Sequence, residues 1–146
     1  MKGDFYAIPR ILIAGTNSGC GKTTITCGIL HALKKRGYQL SSFKCGPDYI
    51  DPMFHSRVIG TNSTNLDLFF CKENLVKGFI YEQSKESDLA VMEGVMGYYD
   101  GSSISDSEGS SYQIATVTKT PVILVFNCKG MAISILAMIK GFLSYV

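Results

Sequence analysis

The stretch Gly15-Thr16-Asn17-Ser18-Gly19-Cys20-Gly21-Lys22-Thr23 decides how this chain is read. It follows the apolar run Ile11-Leu12-Ile13-Ala14 and opens a helical pattern that continues to about Arg36. A buried strand, a glycine-rich loop, Lys-Thr and a helix, in that order, make a phosphate-binding P-loop. Loop N–H groups can wrap phosphate oxygens, and the helix N-terminus adds the positive end of its dipole. Lys22 is then placed to reach β- and γ-phosphates, and the Thr23 hydroxyl to sit on Mg²⁺. The nucleotide-binding candidates are Thr16, Asn17, Ser18, Gly19, Cys20, Gly21, Lys22, Thr23 and Thr24. One feature departs from the strict spacing: the leading glycine belongs at position 16, which is Thr16, and the glycine is Gly15.

Outward from the loop, the pattern is α/β. The first helix has Ile25, Ile29, Ala32 and Leu33 on one face of a 3.6-residue period, Gly37 stops it, and His31 falls on the solvent side. A second strand is expected over Gln39 to Lys44, followed by the loop Cys45-Gly46-Pro47-Asp48-Tyr49-Ile50-Asp51-Pro52. Two prolines and a glycine forbid regular structure there. In an open α/β sheet that loop lies with the P-loop, outside the carboxyl ends of the strands. Residues 53–71 read as mixed and short-ranged, with a turn at Asn62, Ser63 and Thr64. A helix is expected over Lys72 to Ser84, a buried strand over Asp88 to Gly94, and a mobile serine-rich loop over Gly101 to Ser111. A short helix over Ser111 to Val117, a strand over Pro121 to Phe126 and an apolar helix over Met131 to Leu143 complete the reading. That makes four strands alternating with four helical segments. The last helix is apolar on nearly every side, which calls for cover from further chain and marks residues 1–146 as one domain incomplete at its C-terminus.

The totals agree with a globular domain. Apolar residues make up 46% and charged residues 18%, which excludes a disordered chain. A formal charge of +2 argues for neither nucleic acid nor an anionic membrane as partner. No apolar run approaches the ~18–20 residues of a membrane span. Cys20, Cys27, Cys45, Cys71 and Cys128 form no Cys-x-x-Cys pair and are odd in number, so they read as free thiols of a reducing cytoplasm.

Phosphoryl transfer asks a protein for a metal, in-line positioning and charge neutralisation. Glu93 ends an apolar strand beside Gly94, where a metal-associated acid of a P-loop protein lies; the competing reading is a strand-terminal surface charge. Asp48 and Asp51 stand three apart in a proline-stiffened loop at the same edge. Close carboxylates repel unless a cation lies between them, so they suit a metal site or one that handles carboxyl or phosphoryl groups. Pro-Asp and Asp-Pro are also ordinary turn dipeptides, and both readings stay open. Asp100-Gly101 carries the same ambiguity. Lys44, at the end of the second strand, is a candidate for an anionic substrate or phosphate, and Lys129 is a weaker one.

Four runs of residues together resemble one known family: Ala14 to Thr24, Phe43-Lys44-Cys45-Gly46-Pro47-Asp48-Tyr49-Ile50-Asp51-Pro52-Met53-Phe54-His55, Asn65-Leu66-Asp67, and Glu93-Gly94-Val95-Met96-Gly97-Tyr98-Tyr99-Asp100-Gly101. They are similar to the cobyrinic acid a,c-diamide synthases, in order along essentially the whole chain. The Gly-Pro-Asp-Tyr-Ile-Asp-Pro run separates the chain from dethiobiotin synthetases and cobyric acid synthases, which share the loop type.

The resemblance implies a dethiobiotin synthetase-like, P-loop NTPase fold with a mostly parallel sheet and flanking helices. It implies a glutamine-dependent, carbon–nitrogen bond-forming ligase of cobalamin biosynthesis. ATP and Mg²⁺ would activate the a and c carboxylates of the macrocycle as acyl phosphates for displacement by ammonia. Lys22 and Thr23 would hold the triphosphate and Mg²⁺, with Asp48 and Glu93 as the metal-side acids. Asp51, Tyr49 and Asp100 would lie around the substrate carboxylate and the phosphorylated intermediate. The implied partners are a tetrapyrrole polycarboxylate and either free ammonia or a glutaminase domain; a homodimer is left open. No Gly-x-Cys-x-Gly elbow occurs in these residues, so the glutaminase domain is expected to be absent from them. Two other readings stand beside this one: an amidoligase for another macrocycle such as a nickel sirohydrochlorin, and a non-catalytic ATP-binding module that controls partner docking.

Overall fold

The structure, a computed structural model, describes residues 8–46, 56, 59–66, 72–102 and 107–145. Five strands form one sheet: β1 Arg10–Gly15, β2 Leu40–Cys45, β3 Asn62–Leu66, β4 Leu89–Glu93 and β5 Val122–Val125. Their order is β3-β2-β4-β1-β5, and every neighbouring pair is parallel. Four helices accompany them: α1 Lys22–Lys35, α2 Glu73–Ser84, α3 Ser111–Thr118 and α4 Ile135–Ser144. This is the P-loop NTPase-like α/β architecture that the sequence leads one to expect.

Alternation along the strands divides the core between the two faces of the sheet. Leu12, Ala14, Phe43, Cys45, Ala90 and Met92 point to one face and pack with Val76 and Ile80 of α2 and with Ile114 and Ala115 of α3. Ile13, Leu40, Val91 and Val125 point to the other face and pack with Leu30 of α1. Both faces of β1 and β4 are covered, which is why those two strands read as nearly continuous apolar runs.

Three expectations change. The residues expected to turn at 62–64 form β3, paired with β2 from Ser41↔Asn62 to Cys45↔Leu66. Its sequence Asn62-Ser63-Thr64-Asn65-Leu66 is polar because it stands at the edge of the described sheet and ends buried only at Leu66. The buried face of α1 is Lys22, Thr26 and Leu30, flanked by Ile29 and Leu33, whereas Ile25 and Ala32 are exposed. The helix is rotated so that its first turn addresses the loop and the strand ends. The last helix begins later than its apolar pattern does: 131–134 form turns, and α4 runs from Ile135.

No residue of α4 is buried, and Leu136 and Leu143 are exposed. An aromatic cluster attaches it, in which Tyr99 packs against Phe142 and Tyr145 and its hydroxyl donates to the Phe142 carbonyl at 2.7 Å. Among the described residues no helix is long and apolar enough to cross a membrane. His31 is exposed, as its place on the helix suggests. The serine-rich loop is described only at its two ends, where Ser102 N–H donates to the Glu108 carbonyl and Ser110 caps α3 by accepting from Gln113 N–H.

Candidate functional site

Parallel pairing brings the carboxyl ends of β1, β2 and β4 side by side. The P-loop leaves β1 at Gly15 and enters α1 at Lys22. A Cβ on Gly15 would stand 2.2 Å from Cys20 Sγ and 3.0 Å from two carbons of the Lys22 side chain. The loop therefore folds back against the last residue of the strand, and only glycine leaves room for it. This accounts for the leading glycine at position 15.

Cys20 is buried under the loop, while Asn17, Ser18 and Gly19 form its exposed rim. Thr16 N–H donates to the Val125 carbonyl at 3.2 Å, and Tyr98 N–H to the Gly15 carbonyl at 2.7 Å. Thr16 Oγ1 donates to Asn17 Oδ1 at 3.0 Å. Gly21 caps α1 in a left-handed conformation with no side-chain hydrogen bond, and the first turn carries no acidic residue. The first-turn N–H groups and the dipole of α1 are thus open to an anion with no acidic residue of the helix itself competing for them. Thr24 is exposed on that turn.

The ammonium of Lys22 is held across the loop. It donates to the Asn17 carbonyl at 2.9 Å and to the Met96 carbonyl at 2.6 Å. Met96, in the loop after β4, adopts a left-handed φ of 48°. Nothing in its side chain announces this role, because the contact is made by the backbone. Gly97 lies beside it, and a Cβ there would meet the Thr16 carbonyl at 2.9 Å and Asp100 Oδ2 at 2.5 Å. The loop after β4 is therefore pressed against the P-loop.

Glu93 is fully buried. The β2–β4 register pairs Lys44 with Glu93, and alternation turns both side chains to the face that carries α1. Glu93 Oε1 accepts from Thr23 Oγ1 at 2.5 Å and from Lys44 Nζ at 2.8 Å. The structure places Lys44 inside the fold, 4% exposed, with its charge on Glu93 rather than open at the strand's edge. The strand itself runs one residue further, to Cys45. Burial pushes the Cys45 thiol up to about 12, with Lys44 opposing and Glu93 reinforcing the shift, so this cysteine is a packed thiol and not a nucleophile.

Asp100 lies beside the P-loop but is exposed, and its Oδ2 accepts from Gly97 N–H at 2.8 Å. Asp48, Tyr49 and Asp51 lie outside the described residues. The fold also uses Ser111, which sequence reasoning did not single out. Its Oγ accepts from Val95 N–H at 3.0 Å, and a Cβ on Gly94 would meet that oxygen at 2.6 Å. The first turn of α3 thus sets the path of the chain after Glu93. The serine pair that opens that helix is its one sequence signal.

A hydroxyl and a carboxylate on adjacent strand and helix ends are hard oxygen donors. They are of the kind Mg²⁺ takes beside phosphate oxygens and waters, so Thr23 and Glu93 fit that ion. Lys22 and the loop N–H groups fit the phosphates that would accompany it.

Comparison with known proteins agrees with this geometry. The model of the CobQ/CobB/MinD/ParA nucleotide binding domain matches residues 11–142. A cobyrinate a,c-diamide synthase of Listeria monocytogenes is 48% identical over 134 residues, covering 91% of this chain and 30% of the relative. Synthases of the same name from Priestia megaterium and Methanocaldococcus jannaschii are each 44% identical, over 94% and 93% of this chain and 30% of their own lengths. The chain thus spans about a third of the length of the curated relatives it matches. The P-loop between β1 and α1, the buried acid at the end of β4 and the match along nearly all of these residues lead to one conclusion: the chain belongs to the CobQ/CobB/MinD/ParA nucleotide-binding domain family.

Proposed function

We propose that these residues form the ATP-binding synthetase part of an amidoligase that acts on the a and c carboxylates of cobyrinate. One observation carries the reading: Thr23 and Glu93 meet at one carboxylate oxygen, next to a loop that presents Lys22 and a helix N-terminus to an anion. The names of the relatives supply the substrate class.

Lys22 and the loop from Thr16 to Thr24 hold the triphosphate, with the rim residues Asn17, Ser18 and Gly19 lying along it. Thr23 and Glu93 hold Mg²⁺, which when bound neutralises charge on the phosphates. Asp48 joins them as a second metal-side acid. Asp51, Tyr49 and Asp100 are assigned to the substrate carboxylate and the phosphorylated intermediate, as the family resemblance implies. An oxygen of that carboxylate attacks the γ-phosphorus and ADP leaves, giving an acyl phosphate. Ammonia then attacks the acyl carbon and inorganic phosphate leaves, giving the amide. The nitrogen comes from free ammonia or from a glutaminase domain outside this sequence.

The test is a chimera in which residues 11–142 replace the matching segment of the Priestia megaterium relative. With ATP, Mg²⁺ and ammonium chloride it is expected to convert cobyrinate to its a,c-diamide, with one ADP formed for each amide. A chimera that folds and binds ATP yet amidates only a different macrocycle, or none, overturns the assignment.

A second reading, a nucleotide-dependent docking module, is favoured by the exposed apolar surface of α4, where Ile133 just before the helix is 79% and Leu143 78% exposed. Glu93→Gln separates the two. A docking module keeps its ATP-state partner binding, whereas an amidoligase loses turnover.

A further inference from the structure

The ion pair between Lys44 and Glu93 is an expensive feature for a sheet centre. Both side chains are nearly or fully buried, at 4% and 0% exposure. A buried pair of this kind adds little to stability over apolar residues of similar volume, because both charges must leave water. On the same face of these two strands stand Leu40, Ser42 and Val91, so uncharged side chains fill the positions around the pair. The pair's position is therefore more informative than its energy. Lys44 Nζ binds Oε1 of Glu93, the same oxygen that receives the Thr23 hydroxyl.

If Thr23 and Glu93 are the Mg²⁺ donors, a reading on which this inference rests, the ammonium and the metal would share one carboxylate. Two cations held that close together repel each other in a site shielded from water. A triphosphate changes the balance, since it brings the negative charge that can receive the ammonium. We propose that Lys44 is the internal counter-cation of Glu93 in the metal-free protein. It holds Glu93 and Thr23 together and yields the carboxylate only when a divalent cation arrives with phosphate. The site then binds metal and nucleotide as a unit and resists metal alone. Lys44 is in this sense a positioning residue that couples the two ligands.

The probe is Mn²⁺, titrated by electron paramagnetic resonance with and without ADP, on the chain as it stands and on Lys44→Met. In the unaltered chain ADP is expected to tighten Mn²⁺ binding at least tenfold. Lys44→Met is expected to bind Mn²⁺ alone at least tenfold more tightly, about 1.4 kcal/mol, and to lose that much of the coupling to ADP. A merely structural role for Lys44 would not strengthen metal binding. Unchanged or weaker binding of Mn²⁺ alone by a folded Lys44→Met chain overturns the proposal. Should that variant fail to fold, equal Mn²⁺ affinity with and without ADP in the unaltered chain overturns it as well. Glu93→Gln tells this failure from a failure of the site itself. If Glu93→Gln leaves Mn²⁺–ADP binding intact, Glu93 is not a metal donor and both readings fall.

Discussion

The ammonium of Lys22 donates to the backbone carbonyl of Met96 at 2.6 Å, which ties the loop after β1 to the loop after β4. The lysine that the P-loop reserves for phosphate is thus already extended over the loop, with its carbon stem buried. Two carbonyl partners hold it without neutralising it, so its charge remains available to an anion.

Lys22→Ala is expected to weaken Mg·ATP binding by about 2–3 kcal/mol, the worth of a charge-assisted contact in a site shielded from water. Isothermal titration calorimetry measures it. An affinity within threefold of the parent chain would show that the loop holds phosphate without this lysine.

Glu93→Gln has a cost beyond function, because it leaves the Lys44 ammonium buried without its carboxylate. Removing one partner of a buried pair typically costs about 3–5 kcal/mol. Urea unfolding should show a loss of that order, and Lys44→Met combined with Glu93→Gln should recover a large share of it. Additive losses in the double variant would mean that the two side chains act independently.

Gly15→Ala inserts a methyl group 2.2 Å from Cys20 Sγ. Overpacking of this kind costs about 1–3 kcal/mol, and here the strain falls on the nucleotide loop. The expected result is a lowered melting temperature together with weakened nucleotide binding. Cys20→Ala in the same chain removes the struck atom and should restore part of both. No rescue would place the strain on Lys22 instead.

Cys45 carries a pH signature. Its ordinary value is 9.0 and the fold raises it to about 12. Above pH 9 the unfolded chain releases this proton while the folded chain retains it, so the unfolded state binds fewer protons and stability falls as pH rises. The slope from this residue approaches 1.4 kcal/mol per pH unit between the two values. Denaturant unfolding of the parent chain and of Cys45→Ala, followed from pH 8 to 10.5, should diverge in that direction. The same burial predicts that exposed Cys128 alkylates with iodoacetamide long before Cys45 at pH 8.

Much of the site was legible because its parts are contiguous. An apolar run, a glycine-rich loop and Lys-Thr before a helix are local signals, and β1, the loop and α1 follow one another in the chain. Glu93 was legible as the polar end of an apolar strand. Other features were not. The polar strand β3 carries no apolar alternation, and only its pairing with β2 makes it a strand. Met96 contributes a carbonyl, which every residue type possesses. Lys44 looked like an open strand end because its surroundings come from β4, reached through residues far along the chain.

The sequence by itself determined the class of fold, the phosphate loop and the family resemblance, since each is read from short contiguous runs and their order along the chain. Only the tertiary structure decided which strands are neighbours, and with them which side chains share an oxygen. Strand register is a non-local property: the β2–β4 ladder sets Lys44 opposite Glu93, and the packing of α1 on that face delivers Thr23 to the same carboxylate. Once those three are fixed, burial allows the charge of Glu93 no bulk water, and the fold must answer it with a cation of its own.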